Sequence, residues 1–380
     1  MILNRRLQAN PKSPIRRIGE EAAAIPGCLR LTIGEPDFDA PLAVRQKIAG
    51  AILAGDTHYP PNAGIPELRA EVAAMLNARF GCRYAPEETL LTVGSTEAIA
   101  AALFAILNPG DEVVCPTPCF GLYKPLIEMA GGTFVPLPRK AGGGVSQDML
   151  NTVLTERTKA VLFASPNNPD GWVADEESLS LLSGAAQARD FFLIGDGAYD
   201  SLVFEDGFSA LPGREDVRDR VIYISALSKT YAMTGVRLGY AAAAAEVMRE
   251  MVKAHNFLVV SAPGFVQRGC LGVFSLSPAE MRETYRRRRD LALGRLFEMG
   301  LPCEVPAGGF YVYPDIREFG LTSEEFCSRL MREGKLALIP ALAFTDEGHV
   351  RISCCYADAE LEEGLSRLAR FVGRLRKEER

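Results

Sequence analysis

The middle of the chain alternates β-rich runs with helical stretches, and no other feature narrows the possible folds as far. Thr89-Leu90-Leu91-Thr92-Val93 reads as a strand that stops at Gly94, and Ser95 to Leu107 reads as a helix rich in alanine and leucine. Asn108-Pro109-Gly110-Asp111 is a turn, and Glu112 to Cys115 the next strand. Ala160 to Ala164, Phe191 to Ile194 and Val221 to Ile224 are further β-rich runs, separated by helical patterns such as Glu176 to Ala188. This alternation predicts an α/β fold with a mostly parallel central sheet.

The ends read differently. Residues 1–43 are proline-rich and are expected to be irregular. Beyond the middle, the pattern predicts a charged helix over 278–300, a strand over Ala307 to Tyr313 and a helix over Ser323 to Glu333. A strand at Val350 to Ser353 and a helix from Ala359 to Leu375 follow. A chain of 380 residues suits about two domains. The expected division is a large domain at 44–270 and a small, discontinuous α+β domain from 1–43 and 271–380. Ala141 to Gly144 reads as a flexible loop, since its spacing fails the dinucleotide fingerprint. Arg286 to Arg289 are expected to spread around a solvated helix face.

Composition removes several function classes. The net charge of −6 gives no basic footprint for nucleic acid. No apolar run approaches the roughly 20 residues that span a bilayer. Met1 to Arg6 lacks the apolar core of a signal peptide, so a cytoplasmic protein is expected. The three histidines, His58, His255 and His349, leave little room for a histidine metal centre or relay. The nine cysteines are odd in number and form no Cys-x-x-Cys, which suits free thiols in a reducing compartment and no metal site.

Ligands of an open parallel sheet bind beyond the carboxyl ends of its strands. The segments there are Gly94-Ser95-Thr96, Pro116 to Phe120, Ser165 to Pro169, Gly195 to Tyr199 and Ser225 to Lys229. One crevice would collect helix-start amides, an aromatic ring, an amide, a carboxylate, a phenol and an amine. Gly94-Ser95-Thr96 opens a helix and suits a phosphate, or is a plain N-cap by Ser95 or Thr96. Lys229 among small residues would be desolvated and suited to Schiff-base formation, or be a snorkelling or paired lysine. Asp196 suits a protonated ring nitrogen or a turn cap, and Arg237 a phosphate or an ion pair. A P-loop fails because Ser228 precedes Lys229, and Ser-x-x-Lys fails because Ala226 stands in the serine position.

With these segments in hand, the chain resembles the fold-type I pyridoxal-phosphate enzymes of the class I/II aminotransferase family over nearly its whole length. The matching segments are Leu31 to Phe38, Tyr59 to Arg69, Ser165-Pro166-Asn167-Asn168-Pro169 and Ser228 to Gly239. Arg351 sits on the usual C-terminal strand, and Phe319-Gly320-Leu321-Thr322-Ser323 is similar to the PatA-type, broad-specificity and N-acetyl-diaminopimelate aminotransferases. The resemblance implies an aspartate aminotransferase-like fold and ping-pong transfer of an amino group between an L-amino acid and a 2-oxo acid. It implies that Lys229 forms the Schiff base with pyridoxal 5'-phosphate and moves the proton. Asp196 would hold the ring nitrogen, Asn168 and Tyr199 the phenolic oxygen, and Phe120 would stack on the ring. Ser95, Thr96, Ser228 and Arg237 would hold the phosphate, and Tyr59 would reach that of the neighbouring subunit in a homodimer. Arg351 would grip the substrate carboxylate, with Gly34 and Asn168 beside it.

The chain departs from the family pattern at Ala226, at Val236, at Asp170 in place of threonine, and at Gly197-Ala198 in place of Glu-Ile. Two alternatives stay open: a C–S β-lyase on the same fold, and a non-catalytic pyridoxal-phosphate binder.

Overall fold

The computed structural model describes residues 3–10, 12–139, 143–205 and 208–378. The short strand β1 (Leu29–Arg30) lies apart from the main sheet. That sheet has seven strands: β2 (Thr89–Thr92), β3 (Glu112–Thr117), β4 (Thr133–Pro138), β5 (Thr158–Ala164), β6 (Phe192–Asp196), β7 (Val221–Ala226) and β8 (Gly239–Ala243). Their order across the sheet is β2-β8-β7-β6-β5-β3-β4. Strand β8 runs antiparallel to β2 and β7, and the other neighbours are parallel.

Neighbouring residues on a strand face opposite sides of a sheet. Leu193 accordingly joins an apolar layer with Leu68, Val72 and Leu182, while Ile194 joins another with Ile99, Leu103 and Met251. Helices cover both faces, so the middle strands are apolar throughout rather than alternating. A further core gathers Leu296, Phe326, Ile352, Leu365 and Phe371, contributed largely by the last third of the chain. Beside it, β1 pairs with β10 (Leu336–Ala337), and β11 (Ile339–Pro340) and β9 (Tyr311–Val312) flank β12 (Val350–Ser353). No single helix among the described residues is long and apolar enough to cross a membrane.

Several local expectations need correction. Strand β4 contains Pro136 and Pro138, which hid it; proline is tolerated there because β4 is an edge strand. Strand β8 is Gly-Tyr-Ala-Ala-Ala, with little intrinsic strand signal, and its complete burial between two partners decides its form. Among the described residues, 1–43 are irregular only in part. Asn4 caps a helix at Arg5–Ala9, and Pro14 opens another at Pro14–Ala23, where a missing N–H costs nothing. The strand expected over 307–313 shrinks to β9, and the helix expected over 323–333 is α-helical over Ser323–Arg329 and closes in a π turn. Arg286 and Arg287 are solvated, but Arg288 is buried against Asp37 and Asp358, each at 2.8 Å. Of the glycine loop, Ala141 and Gly142 lie outside the described residues.

Candidate active site

A cavity of about 660 Å³ opens beyond the carboxyl ends of β3, β5, β6 and β7. Three groups of candidate residues line it, each suited to a different chemistry.

At one end, Ser95 and Thr96 occupy the first turn of the Gly94–Ile106 helix. Neither caps it: the N-cap is Val93, without a side-chain bond of its own. Glu97 takes the Val93 amide at 3.1 Å, and its carboxylate is held 3.1 Å from Nδ1 of the fully buried His255. The remaining helix-start amides are left for an anion. Ser228 and Arg237 line the same cavity. Arg237 donates to the Thr234 carbonyl at 2.9 Å and lies where a Cβ on Gly94 would be, so only glycine lets the cation approach this turn.

In the middle, β6 ends on Asp196, which is 5% exposed. Tyr123 donates to its Oδ2 at 2.9 Å and the Ala198 amide to its Oδ1 at 3.0 Å. Burial raises its pKa despite both bonds. Lys229 sits in the short Leu227–Thr230 helix that follows β7, half-buried, with its amine on the Gly34 carbonyl. Burial lowers its pKa to about 8. Tyr199 shares a 2.9 Å hydrogen bond with Tyr311, and burial pushes both phenols up, Tyr311 to about 12. Phe120 and Asn168 complete this part of the wall.

At the far end lies Arg351, 1% exposed. It donates to Asn168 Oδ1 at 2.8 Å and to the Thr32 carbonyl, and its guanidinium carbon lies 4.3 Å from the centre of the Tyr311 ring. Its Nε has no partner, and no carboxylate pairs with it among the described residues. A buried cation without a counter-ion is costly, so the site is built for an incoming anion.

A helix start with a cation beside it, an amine, a buried carboxylate and a buried guanidinium thus share one cavity. The profile of the family described as Aminotransferase class I and II matches residues 26–368. The chain belongs to this family. This aminotransferase is 36% identical to an aspartate aminotransferase of Pyrococcus abyssi, over 98% of each chain. It is 34% identical to a Bacillus subtilis protein named "Probable N-acetyl-LL-diaminopimelate aminotransferase", over 98% of this chain and 96% of that one. A solved structure of Thermus thermophilus aspartate aminotransferase with maleate is similar at a TM-score of 0.93 and 34% identity, covering 97% of this chain and 99% of the other. The enzyme catalyses transamination that depends on pyridoxal phosphate. The cavity fits that cofactor, because the glycine-lined cation at the helix start suits its phosphate and buried Asp196 its ring nitrogen.

Tyr59 stands apart from the other candidates. It is 85% exposed and does not line the cavity. Tyr123 and Tyr311 are the functional neighbours that the sequence reading missed. Tyr311 falls on the expected strand after Gly308-Gly309, which was a usable signal; Tyr123 carries none, since only the fold brings it to Asp196. The Gly197 departure has a structural partner: a Cβ there would overlap the Tyr223 hydroxyl, which donates to Asp200 at 2.6 Å. Ala226 lines the cavity without a hydroxyl, leaving Ser95, Thr96, Ser228 and Arg237 as candidate phosphate ligands. Val236 packs against the core.

Proposed function

We propose that Lys229 is the catalytic amine of this aminotransferase and that Arg351 selects substrates by their α-carboxylate. The observation that carries this reading is the buried, unpaired Arg351 guanidinium opening into the same cavity as a lysine of lowered pKa. When bound, pyridoxal phosphate supplies the electron sink for charge developing at the substrate Cα. Lys229 takes the proton from that carbon and returns it on the other side of the exchange. Asp196 balances a protonated ring nitrogen, and its bonds from Tyr123 and the Ala198 amide fix its direction. Asn168 and Tyr199 supply donors for the phenolic oxygen, and Phe120 a face for the ring. Ser95, Thr96, Ser228 and Arg237 anchor the phosphate. Arg351 and Asn168, already bonded to each other, orient the substrate, with the Gly34 backbone beside them. The exchange runs in two halves: an amino acid leaves as its 2-oxo acid, and a second 2-oxo acid leaves as an amino acid.

The cavity is also lined by Arg16 of the Pro14–Ala23 helix and Lys124 of the Tyr123–Met129 helix, both without an ion pair among the described residues. Two such cations favour substrates with a second acidic group, in line with the relatives named aspartate aminotransferase. The exposure of Leu53, Tyr59, Phe257 and Leu258 supports a homodimer in which Tyr59 serves the partner's site. The same reading includes a large domain at 44–270, a small one from 1–43 and 271–380, and a cytoplasmic location.

Purified holoenzyme incubated with a panel of amino donors and 2-oxoglutarate tests the reading. Amino transfer is expected, fastest with aspartate and glutamate. Failure with every donor overturns it, and release of pyruvate and ammonia from a cysteine conjugate without an acceptor would establish the lyase instead. Preference for alanine or phenylalanine overturns the acidic-substrate assignment alone.

A further inference from the structure

The loop that carries Asn168 is held by an ion pair that lies outside the cavity. Asp170 accepts at Oδ1 from the Asn167 side chain at 2.7 Å and from the Trp172 amide at 3.2 Å. Its Oδ2 pairs with Arg139, whose side chain is 4% exposed and whose guanidinium carbon lies 4.3 Å from the centre of the Trp172 ring. Asn167 also donates to the Pro118 carbonyl at 2.9 Å, two residues before Phe120. One carboxylate therefore ties together the segments that follow β3, β4 and β5, and two of these carry Phe120 and Asn168. Neither Asp170 nor Arg139 lines the cavity.

The orientation of Asn168 is already constrained. Its Oδ1 accepts from Arg351, which leaves Nδ2 as the end available to a ligand. Where that donor points depends on where the loop sits. We propose that Asp170 and Arg139 form a positioning pair that fixes Asn168 and Phe120 against the cofactor ring. The proposal rests on the reading of this cavity as the pyridoxal-phosphate site. The threonine usual in the family offers a hydroxyl and no charge, so it could not hold Arg139 in this way. The device uses an ion pair outside the cavity to fix a hydrogen bond inside it.

A donor to the phenolic oxygen stabilises its anion and weakens the hold on the neighbouring Schiff-base proton. A loosened Asn168 would leave that proton bound to higher pH. The test is an absorbance titration of the lysine-linked chromophore across pH in four holoenzymes: wild type, Asp170→Thr, Arg139→Gln, and Asp170→Thr combined with Arg139→Met. The double variant leaves no unpaired buried charge and decides the matter if a single variant fails to fold. Each variant is expected to shift the midpoint upward by about 0.5–1 unit, the double no further than the larger single. A lowered melting temperature with an unmoved midpoint makes the pair merely structural and overturns the proposal. A wild type with no titrating band overturns the underlying assignment of the site instead.

Discussion

Lys229 shows how one residue's surroundings set its chemistry. Its free value of 10.5 falls to about 8 on burial. Only the neutral amine attacks a carbonyl, so below pH 8 uptake of pyridoxal phosphate by the apoprotein should rise about tenfold per pH unit and flatten above it. Stopped-flow absorbance checks this, and a rate independent of pH from about 6 to 9 would refute it. The linkage has a definite sign. The unfolded chain holds this proton more tightly, so apoprotein stability from this group rises between pH 8 and 10.5. Arg351 makes a separate prediction. Lysine cannot reproduce a bidentate grip, and a lost charged hydrogen bond is worth about 1.5–3 kcal/mol. Arg351→Lys should therefore raise KM for amino donors by about 10- to 100-fold. Unchanged steady-state kinetics would count against the assignment.

Elements place these residues through their ends. Strand β6 delivers Asp196, the turn after β7 delivers Lys229, and the start of the Gly94–Ile106 helix offers amides. Gly94 is the hinge of that last arrangement, at φ +78° and against Arg237. Alanine there adopts an unfavourable backbone conformation, worth about 1–2 kcal/mol of stability. It also displaces the guanidinium. Gly94→Ala should lower the melting temperature of the apoprotein and weaken cofactor binding in a direct titration. A variant that binds as tightly as wild type would remove Arg237 from the phosphate site. Elements also explain the uneven legibility of the sequence. Strands buried on both faces announce themselves as apolar runs, as β7 does. Strand β8 does not, because alanine takes its conformation from its neighbours.

At the scale of the whole molecule stands the proposed homodimer. Tyr59 is solvent-exposed, as are Leu53 and Phe257. If it serves a partner's cavity, the protein sediments as a dimer. Two inactive variants, Lys229→Ala and Tyr59→Ala, should then regain activity when refolded together, because a mixed dimer holds one intact site. A monomer in sedimentation, or no recovery on mixing, would leave Tyr59 without a role.

Local sequence determined the α/β alternation, the sheet's apolar strands and the segments beyond their carboxyl ends, because each depends on residues close in the chain. It also singled out Asp196, Lys229 and Arg351, since the motifs around them are contiguous. Tertiary structure alone decided the rest. Tyr123 reaches Asp196 from another element, Tyr311 underlies Arg351, and His255 braces Glu97 across 158 positions of chain. Arg288, expected in solvent, is buried because Asp37 and Asp358 converge on it. Asp170 departs from the family pattern in sequence, and only the fold sets Arg139 against it. In each case the partner is remote in sequence, and the interaction energy exists only once folding has brought the two groups out of water together.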